Sequence, residues 1–420
     1  MNGTKHKLYD GTLYWPKTMP IAPTYPSLRT RIITQVAIIG GGVTGAICAA
    51  VLANAGIKAV LVEGKRVASA STAANTGLIQ FTNDIMLSEL AERIGEDDAA
   101  RFYCECRKAL NSLSELASSI PLDMGFNARS SLYCASTDKD AERLLSEYRM
   151  LRKHGFPVNW GFPESLGSRL PSLKAAALVT RGDAEINPVR LAHGLIVQAA
   201  RSGAQVFENT GIVQISKRND RFVLQAEHGE INAQYIVRAT GYLPGVETPR
   251  TGLPILRRSY ALATKPDSLP TDWPNRMMMW ETDRPYFYFR TTPDGRIIAG
   301  GLDENRADPD RNASGLQART NDLLAELSRL FPDSAFEAED AWCGVFGESK
   351  DHLPLLGEHP DQPGIFHALG YGGNGTIYGT IAAFMLLAQL KDNHHPLKTM
   401  LSPGRGQLQE ETSARIASPV

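Results

Sequence analysis

The sequence predicts an α/β chain: one domain with a mostly parallel, doubly wound sheet, and an interleaved α+β domain built on an antiparallel sheet. Three observations predict it. Near the N-terminus, "QVAIIGGGVTGAICAAVLANAGIKAVLVEGKRV" (35–67) reads as strand, glycine turn, helix and strand. Charged, amphipathic helical stretches follow. Later, strand-like segments between Ile255 and Ala299 succeed one another with no helical pattern between them.

Bulk properties set the frame. A chain of 420 residues exceeds what one hydrophobic core usually serves, and 43% hydrophobic content fits a globular protein. Lys+Arg 44 against Asp+Glu 45 leaves a net charge of -1, so no basic field points to nucleic acid and the expected partner is a small molecule. Five cysteines without a C-x-x-C pair argue against a disulfide framework or zinc site, and no metal is expected. A reducing cytoplasm is the expected setting. The proline-interrupted N-terminus lacks the apolar core of a signal peptide. "TIYGTIAAFMLLAQL" (376–390) falls short of the ~20 residues a membrane span needs and reads as a buried helix.

Taken in order, Val36–Ile39 form a strand buried on both faces, and Val43–Ala55 a helix stopped by Gly56. The turn between them is Gly40-x-Gly42-x-x-Gly45. Gly40 permits the tight turn, Gly42 lets a pyrophosphate approach the backbone, and Gly45 lets helix and strand pack closely; the helix N-terminus, with Val43 and Thr44, faces the phosphates. The next strand, "KAVLVE", ends at Glu63 beside Gly64, placed to accept from an adenosine ribose hydroxyl and disfavouring a 2′-phosphate. This is a Rossmann-like FAD/NAD(P)-binding unit. The turn alone does not separate the two cofactors. The loop after it, "GKRVASASTAANTG", offers hydroxyls of Ser69, Ser71 and Thr72 among small residues, ahead of Asn75, where a long cofactor would be held.

Asp84–Ile120 and Asp138–His154 read as amphipathic helices with Asp84 and Asp138 as N-caps. Asn187-Pro188 opens a helix to Ser202, "AQVFENT" and "GIVQISK" follow as strands, and "YIVRATG" is a buried strand whose small end at Ala239, Thr240 and Gly241 allows close passage of a ligand. Ile255–Lys265, Met277–Glu281, Tyr286–Arg290 and Arg296–Ala299 form the second sheet, the last two joined by the turn "TPDG". The expected division is residues 1–83, 183–250 and 338–395 for the cofactor domain, 84–182 and 251–337 for the substrate domain, and 396–420 as a tail. The final "GIFHALGYGGNGTIYG" is strand, glycine loop (Gly370, Gly372, Gly373, Gly375) and helix start.

These segments together resemble the FAD-dependent oxidoreductases of the D-amino-acid oxidase, glycine oxidase and sarcosine oxidase superfamily, over most of the chain and in the same order. "MMWETDRPYFYFRTTPDG" and the aromatic N-terminal arm are similar to a bacterial subgroup, some of whose members carry a C-terminal Rieske domain. No C-x-H followed by C-x-x-H occurs in this chain, so that iron-sulfur module is not expected. The resemblance implies noncovalently bound FAD, oxidation of a C-N bond of an amine or amino acid by hydride transfer to flavin N5, and imine hydrolysis. It implies an adenine contact at Val213 and a flavin pyrimidine facing Asn374, Gly375 and Thr376 at the last helix. Asn374 and Ile377 stand where sarcosine-type members have histidine and lysine, so their carboxylate clamp is missing. If the substrate has a carboxylate, Arg290 is then its expected partner, since a guanidinium binds a carboxylate bidentately, with Tyr288, Tyr371 and Tyr286 as pocket walls. His352 reads as an ordinary hydrogen-bonded histidine. Cys343 is poorly spaced from Asp351 for covalent flavin attachment. The competing readings are an NAD-dependent dehydrogenase and a flavin-holding, non-catalytic subunit. The electron acceptor and any homo-oligomer are left open by the sequence.

Overall fold

The computed structural model describes residues 8–163, 166, 176–242, 254–271, 273–306, 313–370 and 372–405. Two sheets organise them. The smaller has eight strands, with Arg31–Ile39 at its centre, flanked by Ala59–Val62 and then Gln205–Phe207 on one side and by Glu230–Arg238 on the other. All of these neighbours pair in parallel. Ile365–Leu369 joins the C-terminal half of Glu230–Arg238 in parallel, while the antiparallel pair Ile212–Arg218 and Arg221–Ala226 joins its N-terminal half.

The central strands are Val- and Ile-rich because helices cover them, and Val36, Ala37, Ile38 and Leu61 are fully buried. Helix Val43–Asn54 packs between Pro188–Arg201 and Gly375–Leu390. Its contact with the last helix is close: a Cβ on Gly379 would sit 2.9 Å from the Thr44 hydroxyl. Asn187 caps Pro188–Arg201, its side chain accepting from Arg190 N–H at 3.1 Å.

The larger sheet has ten strands in the order Tyr9–Gly11, Ala338–Glu348, Ile255–Thr264, Ile297–Glu304, Phe287–Thr291, Met278–Glu281, Asn127–Cys134, Ala177–Glu185 and Leu78–Ile79, with Val158–Trp160 beside Ala177–Glu185. It is antiparallel except where Met278–Glu281 runs parallel to Asn127–Cys134. The expected strands at 255–299 are present, and Gly295 N–H closes the "TPDG" turn onto Thr292 O at 2.9 Å.

Sheet membership differs from the expected division at three places. Ala338–Glu348, assigned above to the cofactor domain, pairs along its whole length with Ile255–Thr264, and Tyr9–Gly11 and Leu78–Ile79 also belong to the larger sheet. The apolar stretch at 341–346 did not reveal which sheet it would complete. Capping differs too. Thr137, not Asp138, caps helix Asp138–Lys153, its hydroxyl accepting from Asp140 N–H at 3.1 Å. Asp84 caps nothing: the helices there are Leu87–Ile94 and Glu96–Ser118, broken at Gly95 (φ 90°).

Candidate active site

The glycine turn is shaped by close backbone approach. Gly40 has φ 114°, and a Cβ there would lie 2.3 Å from Ala239 O. A Cβ on Gly45 would lie 1.9 Å from Gly40 O, so helix and turn touch where no side chain fits. A Cβ added to Gly42 would meet the Thr72 hydroxyl, at 3.1 Å. That hydroxyl accepts from Val43 N–H at 2.9 Å and so caps the helix. Glu63 accepts from Gly41 N–H at 2.7 Å and from Lys65 N–H at 2.8 Å, which fixes the carboxylate over the turn. A Cβ added to Gly64 would lie 3.8 Å from the Cα of Gly211, so Val213, 72% exposed, follows from the segment running beside the acid. Ala239, Thr240 and Gly241 leave their strand on the other side, with Ala239 N–H bonded to Ile39 O at 2.9 Å.

Beyond the turn a cleft of about 1080 Å³, its mouth included, opens between the two sheets. Ser71 and Asn75 line one side, and Gly372, Gly373, Asn374 and Gly375 line another. Short helix Ser71–Ala74 therefore links both ends: Thr72 caps the glycine-turn helix, Ser71 reaches the cleft, and Trp342 Nε1 donates to Ala74 O at 2.9 Å. The Ser71 hydroxyl is buried with no partner among the described residues, an atom awaiting a polar ligand. The last loop is tied to both sheets. Gly372 (φ 110°) donates to Gly347 O at 2.8 Å, and Gly370 sits against Gly375, whose O would be 3.0 Å from an added Cβ. Buried Asn374 donates to Gln80 O at 2.7 Å, and Thr376 begins the buried face of Gly375–Leu390. An extended dinucleotide fits this set: a cradle that any Cβ would fill at the turn, an orphaned hydroxyl midway, and a glycine-lined helix start at the far end.

Aromatic side chains make the remaining walls. Tyr286 and Tyr288 project from the larger sheet with ring centroids 5.6 Å apart, and Thr76 donates to the Tyr288 hydroxyl at 3.2 Å. Burial raises the pKa of both phenols, which keeps them neutral. Tyr371 lies outside the described residues.

Arg290 is placed differently from the expectation. It is 1% exposed and absent from the cleft lining. Its guanidinium donates to Ile186 O at 2.7 Å, Thr291 O at 2.7 and 2.9 Å and Gly77 O at 3.3 Å, lies 3.6 Å from the Glu185 carboxylate and stacks 5.2 Å over Trp15. Alternation put it on the face of Tyr288, but two residues farther along the N-terminal arm covers the sheet. Its donors are spent, and it ties the sheet to the loop after Asn75. Cys343 is buried in the core on the opposite face of the larger sheet from the cleft, while its neighbours Trp342 and Gly344 line the cleft. Ile377 is fully buried. His352 pairs with Glu348 at 2.8 Å, and with Arg257 this holds the Glu348 carboxyl down at about 2.

Residues given no site role above also build the site. Gly41 orients Glu63. Asp84, Tyr242, Trp280 and Phe346 line the cleft. Period-2 alternation from Trp342 through Gly344 to Phe346 was a usable signal. Asp84 carried none, because its contact is with Gly373, 289 residues away.

Fold and site are those of a dinucleotide-binding protein with a cleft adjoining the glycine turn. The family model "FAD dependent oxidoreductase" (DAO) matches residues 35–390, and the chain belongs to that family. FAD is therefore its cofactor. Among curated relatives, the probable oxidoreductase OrdL of Rhizobium meliloti (strain 1021) is 27% identical over 374 residues, 87% of this chain and 85% of that protein. Glycine oxidase of Geobacillus kaustophilus (strain HTA426) is 26% identical over 84% of this chain and 91% of its own. Gamma-glutamylputrescine oxidoreductase of Escherichia coli (strain K12) is 24% identical over 87% and 85%. The crystal structure of glycine oxidase from Geobacillus kaustophilus superposes with a TM-score of 0.72 at 23% identity, covering 87% of this chain and 96% of that one, which shows the shared fold. No helix among the described residues is long and apolar enough to cross a membrane.

Proposed function

We propose that the protein oxidises the C-N bond of an amine or amino acid, using FAD held noncovalently from the glycine turn to the cleft. The observation that carries this reading is helix Ser71–Ala74, which puts Thr72 on the dinucleotide helix and Ser71 in the cleft, making one continuous site. Glycine oxidase and gamma-glutamylputrescine oxidoreductase among the relatives support the substrate class.

In this reading Glu63 accepts from the ribose, Gly42 and the start of Val43–Asn54 receive the pyrophosphate, and Val213 with Ala239, Thr240 and Gly241 flank the nucleotide. Ser71 and Asn75 steady the middle. Gly370 and Gly372 through Thr376 present the positive end of Gly375–Leu390 to the ring system. Bound FAD supplies a two-electron acceptor for hydride from the carbon bearing the amine. The chain's own part is to orient that carbon. Tyr286, Tyr288 and Trp280 do so from the roof. Cys343, facing the other core, leaves the cofactor unattached.

The test is anaerobic mixing of the purified yellow protein with a panel of amines and amino acids. Loss of flavin absorbance with at least one C-N donor, and none with NADH alone, is expected. A flavin that no donor on the panel bleaches would favour a non-catalytic subunit instead.

A further inference from the structure

The cleft carries a charge pattern that the proposed function does not use. Among the described residues lining it there is no arginine and no lysine; its one charged side chain is Asp84. Asp84 stands where the glycine loop meets the roof, one oxygen accepting from Gly373 N–H at 2.7 Å, while Oδ1 makes no hydrogen bond among the described residues. The carboxylate is ringed by protein atoms yet open to the water of the cleft. Around it the walls are aromatic: Tyr242, Tyr260, Trp280, Tyr286, Tyr288 and Phe346.

A second carboxylate lies behind the wall. Asp303 is largely buried, and burial, opposed by the Ser259 hydroxyl and with a further push from Asp84, raises its pKa to about 6. Burial likewise raises the pKa of Asp84, opposed by the Gly373 N–H and then by Arg284 and His352, with Glu348 adding to the rise. Neither opposing cation lines the cleft. Arg284, exposed, stacks 4.4 Å over the Tyr286 ring, and His352 is paired with Glu348. Aromatic faces and a carboxylate both attract an ammonium, whereas an incoming carboxylate finds no guanidinium or ammonium on the described walls.

Resting on the proposed C-N oxidation, we infer that the substrate is a cationic amine without a carboxylate on the reacting carbon, seated by Asp84 inside the aromatic walls. The amine arrives protonated, is held by Asp84 and the ring faces, and loses its proton to solvent before the carbon is oxidised. Asp84 is a substrate-binding residue, and Trp280 and Tyr286 set specificity for a cation over an anion.

The experiment compares matched pairs that differ by one carboxylate, putrescine with ornithine and tyramine with tyrosine, in kcat/KM and in anaerobic flavin bleaching. The amine of at least one pair should exceed its amino acid by about ten-fold or more. Asp84→Asn keeps an acceptor for Gly373 N–H, so flavin content should persist. It should lower kcat/KM for the amine about ten-fold or more and for the amino acid far less. A readout free of turnover is the melting-temperature rise given by tetramethylammonium chloride, against sodium acetate as the anionic control; it should be present in the wild type and lost in Asp84→Asn. Amino acids that are oxidised in preference to their amines, or whose oxidation collapses in Arg284→Met while Asp84→Asn changes nothing, would overturn the inference and leave C-N oxidation standing. Absence of bleaching with every donor would instead remove the proposed function, and this inference with it.

Discussion

The glycine turn and the cleft between the sheets are built from the same kinds of contact at very different sequence distances. At the turn, Gly41 meets Glu63 across 22 residues and Val43 meets Thr72 across 29. In the cleft, Thr76 meets Tyr288 across 212 and Asp84 meets Gly373 across 289. The first region is one local supersecondary unit whose spacing states its geometry. The second exists only once two sheets have closed on each other. Local chemistry can be read along the chain, and assembled chemistry needs the assembly.

The comparison breaks most sharply at Gly45. Gly45→Val drives a side chain into the Gly40 carbonyl, 1.9 Å from the added Cβ, and neither backbone can yield. The expected outcome is loss of soluble, flavin-containing protein. Gly42→Val meets only the Thr72 hydroxyl, so it should fold, with an ordinary circular dichroism spectrum, but purify nearly colourless. Full flavin occupancy in either variant would mean that the turn is not a cofactor cradle.

Arg290→Met is next. Removing the guanidinium leaves the Ile186 carbonyl and the Glu185 carboxylate short of a partner, while Gly77 O keeps Ile186 N–H at 2.9 Å; the expected loss is about 3–5 kcal/mol of stability measured by calorimetry. The ratio of kcat/KM for an amino acid and its decarboxylated amine should stay within about two-fold. A selective loss for the carboxylate substrate would restore Arg290 to the cleft.

The pH dependence of stability sharpens the contrast with a smaller effect. Asp303, raised from 3.8 to about 6, binds more protons folded than unfolded between those values, so its contribution favours the fold below pH 4 and is lost as pH rises through 6. Glu348, lowered to about 2, acts in the opposite sense, stabilising above pH 4.5 and losing that as pH falls toward 2. Asp303→Asn should therefore raise stability at pH 7 by about 1–2 kcal/mol and flatten the curve between pH 4 and 6. A melting temperature that tracks the wild type across that range would refute the assignment.

Glu63→Gln has the smallest expected effect. The amide oxygen still accepts from Gly41 N–H, so FAD dissociation should strengthen no more than about ten-fold, by loss of one charge-assisted bond.

The same contrast decides what the sequence revealed. The glycine turn with Glu63 and Thr72 and the capped helix at Asn187 were legible because each is fixed by neighbours close in the chain, whereas the final glycine loop was legible only as a turn before a helix, its ties to Asp84 and Gln80 lying far off in sequence. Ala338–Glu348 was placed with the wrong sheet because an apolar strand carries no label for its partners. Arg290 was misjudged for a related reason: strand alternation gives the face of a sheet but not how far the cleft extends along it, and Trp15 of the N-terminal arm ends it there. Asp84, read as a helix cap, became a cleft residue because Gly95 delays the long helix and the last loop closes over the segment.

The central claim, that the two regions hold one FAD without a covalent bond, is tested most directly by acid precipitation of the wild-type protein with flavin quantified in both fractions. The account predicts about one FAD per chain, all of it in the supernatant. Protein that purifies without flavin, or yellow colour that stays with the precipitated chain, would contradict it.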